Sequence, residues 1–284
     1  MLTIQKLLKQ GYDKLKNSKS PNLDVEVILS YVLNKPREYI LTHLDEEMPL
    51  DVSNKFEELI DRRKKHEPVA YLINNKEFYG RNFFVDNRVH IPRPATEDLI
   101  NLIKGVLSAK FKGTIADIGT GSGCISITLA LEFLKANIIA IDISEKALIV
   151  AKQNADKLKA ADRITFLKGD LLNPLTKKVD IIIANLPYGW SQTTRSLGEV
   201  WTDDKEIFFQ PKNSHQGGKN GLDLIKKLID ELPNYLSKKG QCFLEYDPRQ
   251  TDEITDYLQK TNFKFDIIKD SATHDRILFI TNNS

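Results

Sequence analysis

The sequence predicts an α/β fold: a parallel sheet covered by helices on both faces and preceded by a small helical bundle. Three observations carry this. Up to about residue 75 apolar residues recur at helical spacing. From about residue 95 apolar runs too continuous for half-exposed strands alternate with helical segments. The first of those runs ends in a glycine-rich turn that opens a helix.

In the N-terminal part, Ile4, Leu7, Leu8 and Leu15 share one helical face, and Val25, Ile28, Leu29, Val32 and Leu33 share a second. Phe56, Leu59 and Ile60 form a third, with Ser53 as the expected N-cap. Breaks at "NSKSPN", "NKP" and "MPLD" separate these faces into short helices, so residues 1–75 are expected to form a bundle. The charged run "DRRKKHE" (61–67) reads as the solvated end of its last helix.

Residues 77–92, "EFYGRNFFVDNRVHIP", change character. Aromatic and β-branched residues flank Gly80 and the turn pair Asp86-Asn87, which predicts a hairpin, and residues 76–94 are assigned to a linker between two domains.

Residues 95–284 form the second domain. Strands are expected at "TIADIG", "NIIAIDI", "RITFLKG", "VDIIIAN", "GQCFLEY", "KFDIIK" and "RILFIT". Helices are expected from Gly123, over 144–160, over 221–236 and over 250–261. In such a sheet ligands bind at the carboxyl ends of the strands, so those ends are where chemistry is sought.

Composition removes several classes. The 284 residues, 41% apolar, suffice for a real core. A formal charge of +2 without a polybasic arm argues against stable nucleic-acid binding. Cys124 and Cys242 are far apart and the five histidines lack ligand spacing, so neither a disulfide framework nor a metal site is expected. No run of 18 apolar residues and no signal-peptide pattern occur, so a cytoplasmic protein away from membranes is expected.

The first strand ends in "DIGTGSGCIS". Gly119, Gly121 and Gly123, with Thr120 and Ser122 between them, allow a tight turn and close approach of a ligand. The spacing departs from a dinucleotide fingerprint, and Asp117 just ahead of it would repel a pyrophosphate and suit an ammonium group. Asp142 ends the second strand, placed for a ribose diol. Asp170 follows the third, placed to accept from an adenine amino group, with Leu171 beside it to cover the ring. An ammonium, a ribose and an adenine without a phosphate describe S-adenosyl-L-methionine, with S-adenosyl-L-homocysteine as product.

The fourth strand runs into Asn185-Leu186-Pro187-Tyr188. A flat amine donor needs an acceptor for each N–H: Asn185 Oδ1 offers one and the Leu186 carbonyl the other. Pro187 fixes the turn and Tyr188 stacks on the flat group. Asn185, Pro187 and Tyr188 are therefore the expected catalytic residues. Leu186 shares substrate binding with them, and Asn185 also borders the cofactor. A nitrogen so held turns its lone pair toward a methyl sulfonium, which is catalysis by positioning.

The glycine loop, the strand-four motif and their order resemble class I methyltransferases acting on exocyclic or amide nitrogen. More specifically, "EPVAYLINNKEFYGRNFFVDNRVHIPRPATEDLI" (67–100), "GGKNGLDLI" (217–225) and "HDRI" (274–277) resemble the release-factor glutamine methyltransferases. The resemblance implies a Rossmann-like, mixed seven-stranded sheet behind a helical bundle and a hairpin linker. It also implies methylation of the Gln in the Gly-Gly-Gln loop of class 1 peptide chain release factors. This chain departs from the family's usual residues at Leu186 (Pro), Gln210 (an acid) and Ala95 (Glu). Asn-Leu-Pro-Tyr is also similar to the motif of ribosomal-RNA adenine methyltransferases, the alternative activity together with glutamine methylation of a ribosomal protein.

Overall fold

The computed structural model describes residues 2–190 and 205–282. Contacts divide the chain into two compact units, Met1–Asn75 with Asp203–Phe209, and Lys76–Thr202 with Gln210–Ser284.

The smaller unit holds β1 (Leu2–Thr3), α1 (Ile4–Leu15), α2 (Pro21–Leu33), α3 (Arg37–Thr42), β2 (Glu47–Met48), α4 (Leu50–Lys64) and α5 (Val69–Leu72). The three apolar faces read from the sequence meet in one core, where Leu7, Val25, Ile28, Phe56 and Leu59 are fully enclosed. Each such side chain contributes roughly 1.5–3 kcal/mol by leaving water. Gly11 lets α1 and α2 approach, since a Cβ there would stand 2.7 Å from Val25 Cγ1.

Two expectations are corrected here. Ser53 does not cap α4, which starts at Leu50 after Pro49; Ser53 lies inside it and its Oγ donates back to the Pro49 carbonyl at 3.2 Å. The charged run 61–67 is not wholly solvated. Arg63 is buried, its Nε donating to Asp24 Oδ2 at 2.7 Å and its Nη2 lying 2.7 Å from Glu206 Oε1. Helical period and charge alone cannot tell which residue of such a run turns inward.

The larger unit begins with β3 (Lys76–Phe78) and β4 (Arg81–Phe83), an antiparallel hairpin. Its turn is Tyr79-Gly80, both at positive φ (51° and 72°), as a two-residue primed turn requires. Asp86-Asn87 makes a separate turn, in which Asp86 accepts from the backbone N–H of Arg88 at 3.0 Å. Phe78 and Phe83 pack into the core of the larger unit, so the hairpin is part of that unit.

Next comes α6 (Ala95–Val106), an element absent from the sequence expectation, which treats "IPRPATE" as linker. Its signals are Pro94, Glu97 and Asp98 at the start and Leu99, Ile100 and Ile103 on one face. The alternating part follows: β5 (Thr114–Ile118), α7 (Cys124–Glu132), β6 (Asn137–Asp142), α8 (Glu145–Lys157), β7 (Ile164–Lys168) and β8 (Val179–Ala184). It closes with α9 (Asp223–Tyr235), β9 (Leu236–Glu245), α10 (Thr251–Leu258), β10 (Phe263–Lys269) and β11 (Asp275–Asn282).

The seven strands from β5 onward form one sheet in the order β10-β11-β9-β8-β5-β6-β7, parallel except that β11 runs antiparallel to both β9 and β10. Strand order reverses between β5 and β8, and a crevice opens beyond the carboxyl ends at such a switch point. β9 begins four residues earlier than the expected 240–246, because Leu236 pairs with Val179 before a register shift brings Gln241 opposite Ile181. Among the described residues no helix is long and apolar enough to cross a membrane.

Candidate active site

The register Ile118↔Ala184 sets Gly119, at the end of β5, beside Asn185, at the end of β8. Ile118↔Ile141 brings Asp142 to the same edge. Residues far apart in sequence thus converge at the switch point, because parallel neighbours end together.

The glycine loop divides by direction. Gly119 and Gly121 stand at φ 73° and 55°; a Cβ on Gly121 would find only the Gly119 carbonyl, at 3.9 Å, whereas one on Gly119 would stand 3.2 Å from Leu186 Cδ2. Thr120, Ser122 and Gly123 turn inward. The Ser122 carbonyl accepts from Asn154 Nδ2 at 2.9 Å, and a Cβ on Gly123 would meet Ile127 Cδ1 at 2.8 Å. The side chains of Thr120 and Ser122 and the close packing at Gly123 thus build the loop from within.

Asp117 is fully buried under the loop. Its Oδ2 accepts from Thr120 Oγ1 at 2.6 Å and from Ser126 N at 3.1 Å, whereas Oδ1 has no hydrogen-bond partner among the described residues. Burial pushes its carboxyl up to about 6, against the hydrogen bonds from Thr120 and Ser126 and helped by the charge of Asp142. Asp142 accepts from Gly121 N at 2.9 Å and Ser144 N at 2.8 Å; burial raises its carboxyl too, and those N–H groups oppose the rise. Each Asp142 oxygen retains a free lone pair for a diol.

After β7 the two predicted residues part. Leu171 is buried in the same apolar cluster as Ile118 and Ile141 and held at φ 47°, an unusual conformation for leucine. Asp170 points outward and pairs with Lys227, so its carboxylate already has a cationic partner.

At β8, Asn185 Nδ2 donates to Thr96 Oγ1 at 2.9 Å, so the amide's donor end is the one turned to Thr96. Leu186 is buried in the sheet core. The Tyr188 hydroxyl donates to Glu245 Oε1 at 3.0 Å; burial and the Glu245 charge hold that phenol well above its ordinary range. Burial raises the Glu245 carboxyl as well, opposed by hydrogen bonds from Thr96 and Tyr188, the charge of Arg276 and the amide of Asn185. The Tyr188 carbonyl accepts from Gln250 Nε2 at 2.9 Å. The loop "GGKNGLDLI" closes on this turn: a Cβ on Gly217 would stand 2.2 Å from the Pro187 carbonyl, and one on Gly221 2.1 Å from the Tyr188 carbonyl. Glycine there is dictated by close approach. Gln210 accepts from the Ile91 N–H at 3.1 Å through Oε1.

Thr96, Glu245 and Gln250 are site residues that the sequence expectation lacks. Glu245 has a signal, a lone acid ending the apolar strand "QCFLE", the same pattern that singles out Asp117 and Asp142. Among the described residues no group of three or more His, Cys, Asp or Glu is placed to hold a metal ion.

Comparison with known proteins bears on this arrangement. Residues 6–73 match the family described as PrmC N-terminal domain, and residues 110–275 the family described as Methyltransferase domain. A release factor glutamine methyltransferase of Bacillus anthracis is 36% identical, covering 89% of this chain and 90% of its own length. One of Koribacter versatilis is 34% identical, covering 90% and 92%. A bifunctional methyltransferase of Rickettsia felis is 31% identical over 98% of this chain and 58% of its own length. Among solved structures, a ribosomal protein L11 methylase from Lactobacillus delbrueckii subsp. bulgaricus shares the fold, with TM-score 0.52, 23% identity, and 70% and 84% of the chains covered.

Proposed function

The chain belongs to the release factor glutamine methyltransferase family, and we propose that it transfers a methyl group from S-adenosylmethionine to the side-chain nitrogen of the Gly-Gly-Gln glutamine in class 1 release factors. The observation that carries this reading is the fixed amide of Asn185. With Nδ2 held by Thr96, Oδ1 faces the switch point as an acceptor, a match for one N–H of a primary amide.

The residues at the strand ends fit the cofactor. The charge of Asp117 beneath the glycine loop favours an ammonium group over a phosphate above it, the open backbone of Gly121 admits close approach, and Asp142 has lone pairs for a ribose diol. The buried Leu171 supplies an apolar wall. S-adenosylmethionine brings an electrophilic methyl sulfonium when bound. Asp170 plays a smaller part in this reading than its sequence position suggests, since Lys227 already holds it.

The rest is done by the chain itself. Asn185 Oδ1 and the Leu186 carbonyl accept the two amide N–H bonds, Pro187 fixes the angle between them, and the Tyr188 ring lies against the flat amide. Amide resonance makes the nitrogen a poor nucleophile. Two acceptors draw electron density onto it and aim it, and the proton is lost after transfer. Tyr188 contributes its ring and not its proton, because its hydroxyl is committed to Glu245.

Incubation with methyl-labelled S-adenosylmethionine and a mixture of intact release factor, ribosomal protein and ribosomal RNA, followed by peptide mass spectrometry, tests this. Label on the Gly-Gly-Gln glutamine is expected. Label confined to RNA adenine or to a ribosomal protein would replace this reading with one of the alternatives.

A further inference from the structure

Glu245 lies at the end of β9, outside every sequence motif, and its side chain is 1% exposed. Its two oxygens face the site: Oε2 accepts from Thr96 Oγ1 at 2.8 Å and Oε1 from the Tyr188 hydroxyl at 3.0 Å. Thr96, itself buried, accepts in turn from Asn185 Nδ2 at 2.9 Å. The order of these contacts matters more than their number.

A hydroxyl has one proton. An ionised carboxylate donates nothing, so the Thr96 proton is committed to Glu245, and toward Asn185 the Thr96 oxygen is an acceptor only. Asn185 must then meet Thr96 with its NH2 and turn Oδ1 away, toward the switch point. The opposite amide orientation would set two acceptor oxygens against each other inside the protein and present an NH2 to the substrate's own NH2. Burying a polar group without a partner is costly enough to exclude that arrangement.

We propose that Glu245 is the positioning residue that sets the hydrogen-bond polarity of the site, holding the Asn185 amide through Thr96 with its acceptor toward the substrate amide. Glu245 touches no reacting atom. The inference rests on Asn185 being the glutamine clamp. It adds that the clamp's orientation is dictated by a carboxylate on a strand that borders β8, through the Thr96 hydroxyl and through that carboxylate's own pull on the Asn185 amide.

The relay has a reciprocal consequence. In Glu245→Gln the new carboxamide keeps its oxygen for Tyr188 and offers its NH2 to Thr96. Thr96 then donates to Asn185, whose amide turns over and presents a donor to the substrate. In Asn185→Asp a carboxylate faces a Thr96 oxygen whose proton is already given to Glu245. Combining the two substitutions restores a consistent chain. The carboxamide now at position 245 donates to Thr96, Thr96 donates to the carboxylate now at position 185, and that carboxylate again presents an acceptor to the substrate. The buried charge has moved from one end of the relay to the other.

The test is the full-length enzyme, its two single variants and the double variant, with kcat and KM on intact release factor, cofactor affinity and melting temperature measured for all. Each single variant is expected to lose kcat on the order of 10²-fold with cofactor affinity little changed, and the double variant to recover about tenfold over either single. A purely structural Glu245 would give losses that accumulate in the double variant. Wild-type kcat in Glu245→Gln, or a double variant no better than the worse single, overturns the proposal while the wild type still methylates glutamine. A wild type that leaves the factor's glutamine unmodified overturns the clamp reading and this inference together.

Discussion

The side chain of Leu186 is packed on the bare backbone of Gly119: a Cβ at position 119 would stand 3.2 Å from Leu186 Cδ2. The residue that replaces the family's usual proline therefore does more than supply a carbonyl. It is 4% exposed and joins Ile118, Leu171 and Leu222 in the sheet core.

Leu186→Pro is accordingly expected to lower stability. From the sequence alone the reverse is expected, since proline lowers the entropy of the unfolded turn by about 0.4–1 kcal/mol. Loss of a buried leucine's packing costs more, roughly 1–3 kcal/mol for the atoms a smaller ring cannot replace. Turnover should change little, because the carbonyl remains. A melting temperature above wild type would show that the contact with Gly119 is energetically empty.

Asp142→Ala should weaken S-adenosylmethionine binding by about 1.5–3 kcal/mol, the value of charge-assisted hydrogen bonds to a diol. It also strands the N–H groups of Gly121 and Ser144, which now donate to Asp142, so the apo protein should melt lower as well. Isothermal calorimetry reads the first effect and differential scanning calorimetry the second. An unchanged dissociation constant would reduce Asp142 to a loop anchor.

The buried carboxyl of Asp117 gives stability a definite pH dependence. Its folded value, about 6, lies above the ordinary carboxylate range, so the native state binds this proton more tightly than the unfolded chain does. Its contribution is complete below about pH 4, shrinks as pH rises through about 6, and by neutrality costs up to about 3 kcal/mol. Asp117→Asn should therefore raise the apo melting temperature near pH 7 and change it little near pH 4. It should also weaken cofactor binding, since it removes the negative charge beneath the loop that favours the ammonium. Parallel melting curves for the two forms across that range would remove Asp117 from the linkage.

Arg63→Ala should destabilise the N-terminal bundle by about 3–5 kcal/mol, because it leaves Asp24 buried and uncompensated. Ser18 and Ser20 hydroxyls donate to Asp24 at 2.7 and 3.0 Å and soften the loss. Arg63→Met should cost less when combined with Asp24→Asn, as removal of both charges ends the desolvation penalty. Urea unfolding of the full chain measures both, and a loss below about 1 kcal/mol for Arg63→Ala would mean that water reaches Asp24.

What the sequence determined by itself was the local and periodic part. Apolar period placed the bundle helices and the strands from Ile115 to Ile280, and glycine, acid and carboxamide positions at the strand ends marked Gly119, Asp142 and Asn185, since strand ends are one-dimensional features. What only the tertiary structure decided was direction and partnership. It turned Thr120 inward and Gly119 outward, sent Asp170 to Lys227, buried Arg63 within a charged run, and set Leu186 on Gly119. It also brought Thr96, Asn185 and Glu245 into one hydrogen-bonded chain across 149 positions of sequence. The physical reason is that a hydrogen bond's polarity and a side chain's burial depend on what lies across the sheet or behind the loop, and adjacency in space between distant positions leaves no period in the chain that carries it.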